Sequence, residues 1–172
     1  MKIKQIVVGP LQTNCYLLIK NQECLIIDPG DEANKILKSI GNNKIIGIII
    51  THHHFDHVEA LNNLPSDIPI LDVNNLEEGE NTIRDFKFEV IHTFGHSDDS
   101  ITIYFKEEKL MFTGDFIFKE SIGRTDLETG NDLMMKKSIA NIKKYPDDIV
   151  IFPGHGDKTT LGYEKLYNHY FY

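Results

Sequence analysis

Short apolar runs alternate with polar connectors along the 172 residues. Residues 3–8, 16–19 and 24–27 have the length and content of successive strands with brief turns between them. Asp28-Pro29-Gly30 closes the third run with strong turn chemistry. From 31 to 39, apolar Ala33, Ile36, Leu37 and then Ile40 recur at helical spacing, with Asp31 near the start and Gly41 just past the end. Residues 45–50 are almost continuously β-branched, as expected of a strand covered on both faces. A polar stretch follows directly, and 58–64 reads as a short helix ended by Pro65. Several short strands are expected over 68–91, and a hairpin over 101–105 and 110–113. The pattern then predicts a helix over 133–142, a buried strand over 149–152 and a C-terminal helix over 160–170.

This order predicts a mixed α/β (α+β) chain, with helices layered on sheets. No linker, low-complexity tract or repeat divides it, so one domain over 1–172 is expected. Hydrophobic content of 41% and charged content of 26% are those of an ordinary globular protein. The formal net charge of -8 argues against a nucleic-acid partner, which would call for a basic face. The first apolar run stops at Gly9-Pro10, too short for a signal-peptide core, and no stretch approaches a membrane span. A cytoplasmic protein acting on a small molecule, away from membranes, is the expectation. Cys15 and Cys24 have no ligand spacing and read as small core residues.

Candidate chemistry is concentrated after the 45–50 strand. Four of the eight histidines lie between 52 and 57, in Thr51-His52-His53-His54-Phe55-Asp56-His57. On extended backbone, His52 and His54 point to one side and can share an ion. Asp56 and His57, where the chain turns into the next helix, cannot easily join them, so two neighbouring ions would use all four. Three more candidates each follow a strand and stand beside glycine: His96 in Gly95-His96, Asp115 in Gly114-Asp115 and His155 in Gly154-His155-Gly156. Ligands collect beyond strand C-terminal ends in sheets with parallel strands. Imidazole and carboxylate without thiolate suit Zn²⁺, and also Fe or Mn, in an open catalytic site.

These residues resemble the HxHxDH signature of the metallo-β-lactamase superfamily, with His96, Asp115 and His155 in that family's order. The resemblance runs from Thr13-Asn14-Cys15-Tyr16 and Asp28-Pro29-Gly30 to Pro153-Gly154-His155-Gly156. It implies a four-layer αββα sandwich. It also implies two divalent ions, most simply zinc: His52, His54 and His96 on one, Asp56, His57 and His155 on the other, and Asp115 bridging. Aspartate rather than cysteine at 115 is similar to the glyoxalase II side of the family. The implied reaction is cleavage of a thioester or ester by hydroxide from the dinuclear site, with Asp56 orienting the nucleophile.

Ser121-Ile122-Gly123-Arg124-Thr125-Asp126-Leu127 resembles a segment of small glyoxalase II-like hydrolases and, equally, of persulfide dioxygenases. A mononuclear iron oxygenase using His52, His96 and Asp115 is therefore the alternative; a nuclease or a non-enzymatic metal-binding protein fits less well. Two departures bear on substrate. The helical C-terminal domain that helps typical glyoxalase II proteins bind glutathione is not expected here, and Ser97-Asp98-Asp99-Ser100 replaces a common Pro-Gly turn. Arg124 is either a fork for a substrate carboxylate or an ion-pair partner of Asp126 or Asp99. His53 is expected to point away from the ligands, and His92 to orient the 93–97 loop.

Overall fold

A computed structural model describes all of residues 1–172. The chain runs β1 (Lys2–Val8), β2 (Thr13–Lys20), β3 (Glu23–Ile27), α1 (Ala33–Ile40), β4 (Lys44–Ile49), α2 (Phe55–Val58), a 3₁₀ turn (Glu59–Asn63) and β5 (Ile70–Leu71). These strands form one five-stranded sheet in the order β1-β2-β3-β4-β5. The second half contributes β6 (Gly79–Ile83), β7 (Phe86–His92), β8 (Ile101–Phe105), β9 (Leu110–Gly114), a small hairpin of β10 (Ile117–Phe118) and β11 (Ser121–Ile122), α3 (Asp132–Ile142), β12 (Val150–Pro153), β13 (Thr159–Thr160) and α4 (Leu161–Tyr167). A six-stranded sheet runs β13-β12-β9-β8-β7-β6. Each sheet contains a parallel pair reached through a helix, β3/β4 across α1 and β9/β12 across α3.

Three separate apolar clusters show the four layers. In β2, Leu17 faces one way with Cys15, and Leu18 the other with Tyr16, because successive side chains alternate across a strand. Leu17, Cys24, Ile26 and Ile48 pack under Ile36 and Ile40 of α1. Leu18, Leu25, Ile27 and Ile49 meet Phe88, Ile103, Phe105 and Phe112 between the two sheets. Ile91, Met111 and Ile151 pack under Met135, Ile139 and Ile142 of α3, with Leu161 of α4. The expected αββα sandwich is thus present, and β4 is covered on both faces. Removing a large buried side chain such as Phe112 from the inter-sheet core would cost about 3–5 kcal/mol.

Cys15 and Cys24 are unpaired and fully buried in the first of these clusters, as small apolar residues. Two local expectations shift. The helix expected over 58–64 begins earlier, at Phe55, so Asp56 and His57 lie on α2 itself, and residues 59–63 form a 3₁₀ turn. The C-terminal helix stops at Tyr167, because Asn168 leaves helical geometry and caps a separate 3₁₀ turn over His169–Phe171. Of the aromatic tail, Phe171 is buried while Tyr167, Tyr170 and Tyr172 are exposed. No helix is long and apolar enough to cross a membrane.

Candidate metal centre

Four strand ends converge at one edge of the sandwich. β4 runs into the loop carrying His52 and His54, and α2 follows with Asp56 and His57. β7 leads to His96, β9 to Asp115 and β12 to His155. All seven predicted ligands are brought together there. His52, His54 and His96 form one group whose ligand atoms lie within 4.8 Å of one another; Asp56, His57 and His155 form a second. Asp115 stands between them, with Oδ1 3.3 Å from His57 Nε2 and Oδ2 3.6 Å from His96 Nε2 and 3.5 Å from His155 Nε2.

What orients these rings is visible on their outer sides. His57 Nδ1 donates to Asp28 Oδ2 at 3.1 Å, His96 Nδ1 to the Arg124 carbonyl at 2.8 Å, and His155 Nδ1 to the Leu11 carbonyl at 3.0 Å. The Thr51 hydroxyl donates to Asp28 Oδ2 at 2.7 Å and so faces His52 Nδ1, 3.2 Å away, as an acceptor. Each of these four rings therefore has its Nδ1 side tied outward and points Nε2 into the centre. His52 Nε2, His57 Nε2 and Asp115 Oδ1 are buried there without a hydrogen-bond partner. Buried polar atoms are seldom left so in a folded protein. The closest pair, His54 Nδ1 and His96 Nε2 at 2.8 Å, brings together two nitrogens that a cation would bridge. The donor set and its geometry fit divalent metal ions.

Electrostatics divide the centre. Burial, with His57 beside it, pushes His52 well below the ordinary imidazole range, and burial with His96 lowers His54. Burial opposes charge on His57 too, but the carboxylates of Asp115 and Asp28, one beside each ring nitrogen, outweigh it and raise this ring to about 10. In the same way Asp115 and Asp56 overcome burial and hold His155 at about 9. Burial acts to raise Asp56, yet His155, His57 and the Thr13 hydroxyl, 2.9 Å from Oδ2, bring it to about 2. Asp115 is likewise held well below the carboxylate range, against its burial, by His155 and His57.

Backbone approach is close enough to require glycine at two points. A Cβ on Gly154 would lie 2.2 Å from Asp115 Oδ1, and one on Gly123 would lie 1.9 Å from the Asp115 carbonyl and 2.9 Å from the His96 ring. Gly123 and Arg124 thus act as a backbone buttress for His96 and Asp115. The Arg124 side chain forks onto Asp126, Nε to Oδ1 at 2.6 Å and Nη2 to Oδ2 at 2.8 Å, and is 64% exposed. His53 turns away from the ligands as expected, donating from Nδ1 to Asp99 at 2.7 Å with Nε2 3.2 Å from Asp72. His92 lies at the end of β7 with its ring against Phe94. Asp28 and Thr51 carry no functional role in the sequence reading; their signals there are membership of the quoted Asp28-Pro29-Gly30 and Thr51–His57 segments and their place at the ends of two neighbouring buried strands.

Comparison with known proteins adds a family to this geometry. A sequence model described as "Metallo-beta-lactamase superfamily" matches residues 8–80 and 63–155. "Probable metallo-hydrolase YqgX" of Bacillus subtilis is 32% identical, over 98% of this chain and 96% of its own. "Hydroxyacylglutathione hydrolase GloC" of Haemophilus influenzae is also 32% identical, over 98% and 97%. Among solved structures, BLEG-1 B3 metallo-beta-lactamase superposes with a TM-score of 0.95 at 32% identity, covering 99% of each chain. TTHA1623 in a di-iron-bound form superposes with a TM-score of 0.89 at 31% identity, covering 97% of this chain and 99% of that one.

Proposed function

The chain belongs to the metallo-β-lactamase superfamily, and on that premise we propose that it is a glyoxalase II-like metal-dependent hydrolase that cleaves small thioesters or esters. The observation that carries the reading is the set of four imidazoles with their Nδ1 sides tied outward and their Nε2 atoms converging beside unpartnered Asp115 Oδ1. His52, His54 and His96 would hold one ion, Asp56, His57 and His155 the other, with Asp115 shared. Zinc suits these ligands best, and iron or manganese fits the same donors. When bound, such ions lower the pKa of water from 15.7 towards about 7 and polarise a carbonyl.

The chain's own residues do the rest. Asp56 stays ionised at neutral pH; its Oδ2, fixed by Thr13, faces the centre 3.2 Å from His155 Nε2 and would accept the hydrogen bond that aims the attacking water. Asp28, buried, holds His57 directly and His52 through the Thr51 hydroxyl, and so would fix the orientation of both rings. No side-chain nucleophile is needed, and both cysteines are buried away from the centre in the first helix–sheet core. A thiolate is a good leaving group, which favours thioesters. A small-molecule substrate is also in keeping with the acidic net charge of -8.

The test is elemental analysis per chain together with thioester hydrolysis, on the wild type and on Asp115→Ala. Nearly two divalent ions with turnover is the expected result, and the variant should lose metal and at least about 100-fold in rate. Normal turnover by a fully loaded Asp115→Ala would sink the scheme. One iron per chain without hydrolysis would turn the reading to persulfide oxidation, and oxygen uptake would then be measured.

A further inference from the structure

Two loops carry the three-histidine site, 51–54 after β4 and 93–100 between β7 and β8, and they meet at two points outside the ligands. At one, the Ile101 N–H donates to the Thr51 carbonyl at 2.9 Å and ties the start of β8 to the end of β4. At the other stands Asp99. Its Oδ2 accepts from the peptide N–H between His52 and His53 at 2.9 Å and from His53 Nδ1 at 2.7 Å, and its Oδ1 accepts from the Ser97 hydroxyl at 2.6 Å. Ser97 is buried next to His96, and its oxygen accepts in turn from the Ser100 hydroxyl at 2.6 Å. One carboxylate thus bonds to residues adjacent in sequence to all three ligands of that site. From the other side Asp72, just after β5, sets Oδ2 3.2 Å from His53 Nε2, so the His53 ring is fixed at both nitrogens.

This brace matters most for His54. His52, His57, His96 and His155 each have a partner at Nδ1 on the outer side of the ring. The His54 ring has none: its one hydrogen-bonding contact is with His96 Nε2, inside the centre. His54 is therefore placed by the backbone on either side of it. Asp99 fixes that backbone at the His53 N–H, and the first turn of α2 fixes it where the His57 N–H donates to the His54 carbonyl. On the metallo-hydrolase reading, whose ligands it serves, we propose that Asp99 is a positioning residue: its carboxylate holds the 51–54 loop and the His96 loop in one relation and thereby sets the affinity of the three-histidine site for its ion. The Asp56/His57/His155 site lies outside its reach, because Thr13, Asp28 and the Leu11 carbonyl hold those three ligands. Burial acts to raise Asp99, but the bonds from Ser97 and His53 outweigh it and keep it below the ordinary carboxylate range. The brace is thus anionic at neutral pH, and its hydrogen bonds are of the stronger, charge-assisted kind.

Zinc affinity of the full chain, measured by competition with a colorimetric chelator, tests this in two backgrounds. His155→Ala leaves only the three-histidine site with its full set of ligands, and His54→Ala leaves only the other. Adding Asp99→Ala should weaken zinc about 10- to 100-fold in the first background and less than about twofold in the second. Asp99→Asn exchanges the charged bonds for neutral ones of about half the strength, so it should fall between, on the order of threefold to tenfold in the first background. The asparagine variant carries the same comparison if the alanine variant does not fold. Unchanged affinity in the first background would overturn the proposal. So would equal weakening in both, which is what a tie serving only the fold would give. Failure of the metallo-hydrolase reading shows separately: a wild type that binds no zinc ends both, whereas one that binds two ions and cleaves no thioester ends only the hydrolase and leaves the affinity comparison intact.

Discussion

Loading the two halves of the centre with metal should release very different numbers of protons. In the metal-free protein His57 titrates at about 10 and His155 at about 9, so at pH 7 both rings carry a second proton. A ring that binds metal through Nε2 must lose it, and the proton on Nδ1 stays with Asp28 or the Leu11 carbonyl. Asp56, at about 2, is already ionised and contributes none. Filling the Asp56/His57/His155 site at pH 7 therefore expels about two protons per ion, and the logarithm of its apparent affinity should climb by about two per pH unit between pH 7 and 9. His52 and His54, both lowered, are already neutral at pH 7 and release none when their site fills. The assay is calorimetric titration of chelator-stripped protein with zinc in buffers of different protonation enthalpy, repeated at pH 7, 8.5 and 10.5. Proton release for the second ion should fall away by pH 10.5. Equal release for both ions, or a pH slope below about 0.5 for the second, would refute the assignment of protons to His57 and His155. The same protons govern the metal-free fold. His57 is raised in the folded state, so its contribution is complete below pH 6.5, the ordinary imidazole value, and is lost as pH rises through about 10.

Three substitutions probe the surroundings of the ligands. Asp28→Asn removes the carboxylate that holds His57 and Thr51 and should weaken zinc binding about 10- to 100-fold while the protein still folds, as competition with a colorimetric chelator would report; unchanged affinity would mean that the ring is oriented by packing alone. Gly123→Ala drives a methyl into the Asp115 carbonyl, so denaturant unfolding should show a loss of about 1–3 kcal/mol together with lower metal content, and a variant of native stability would contradict the close approach. Arg124→Ala breaks only an exposed pair with Asp126, so thermal unfolding and kcat should both hold. A large rise in KM at unchanged kcat would instead give that guanidinium to the substrate.

The seven candidate ligands and the alternation of strands and helices could be read directly from the chain because each rests on a local signal, whereas the four-layer order came only from the family resemblance. The ligands sit at fixed offsets within 51–57 or immediately after a strand next to glycine, and β2, β4, β8 and β9 are apolar enough to announce themselves. Asp28 was different. As part of Asp28-Pro29-Gly30 it read as a turn, and only the β3/β4 register, with Ile27 opposite Ile49, sets it beside Thr51 and within reach of His57. No local pattern encodes a contact made by two strands meeting across an intervening helix. Strands of two residues, such as β10, β11 and β13, are too short for any period to be counted. The start of α2 at Phe55 was hidden for another reason: its buried His57 and half-buried Asp56 are polar, so the helix lacks an amphipathic pattern there.

The end of β12 and the loop after it close back on the first hairpin. Asn14 N–H donates to the Gly154 carbonyl, its side chain to the Pro153 and Gly156 carbonyls, and Thr13 pairs with His155. Such contacts span nearly the whole chain and form late, because closing so long a loop is slow. A ribosome adds about 5–20 residues per second, and N-terminal segments emerge first. His52, His54 and His96 are made some sixty residues before His155 and the shared Asp115 forty before it, so the three-histidine site has its full set of donors while the other is still short of one. Any ion capture during synthesis would thus run in order, the three-histidine site first, because the other site gains its last donor only when His155 has been made and joined to the first hairpin.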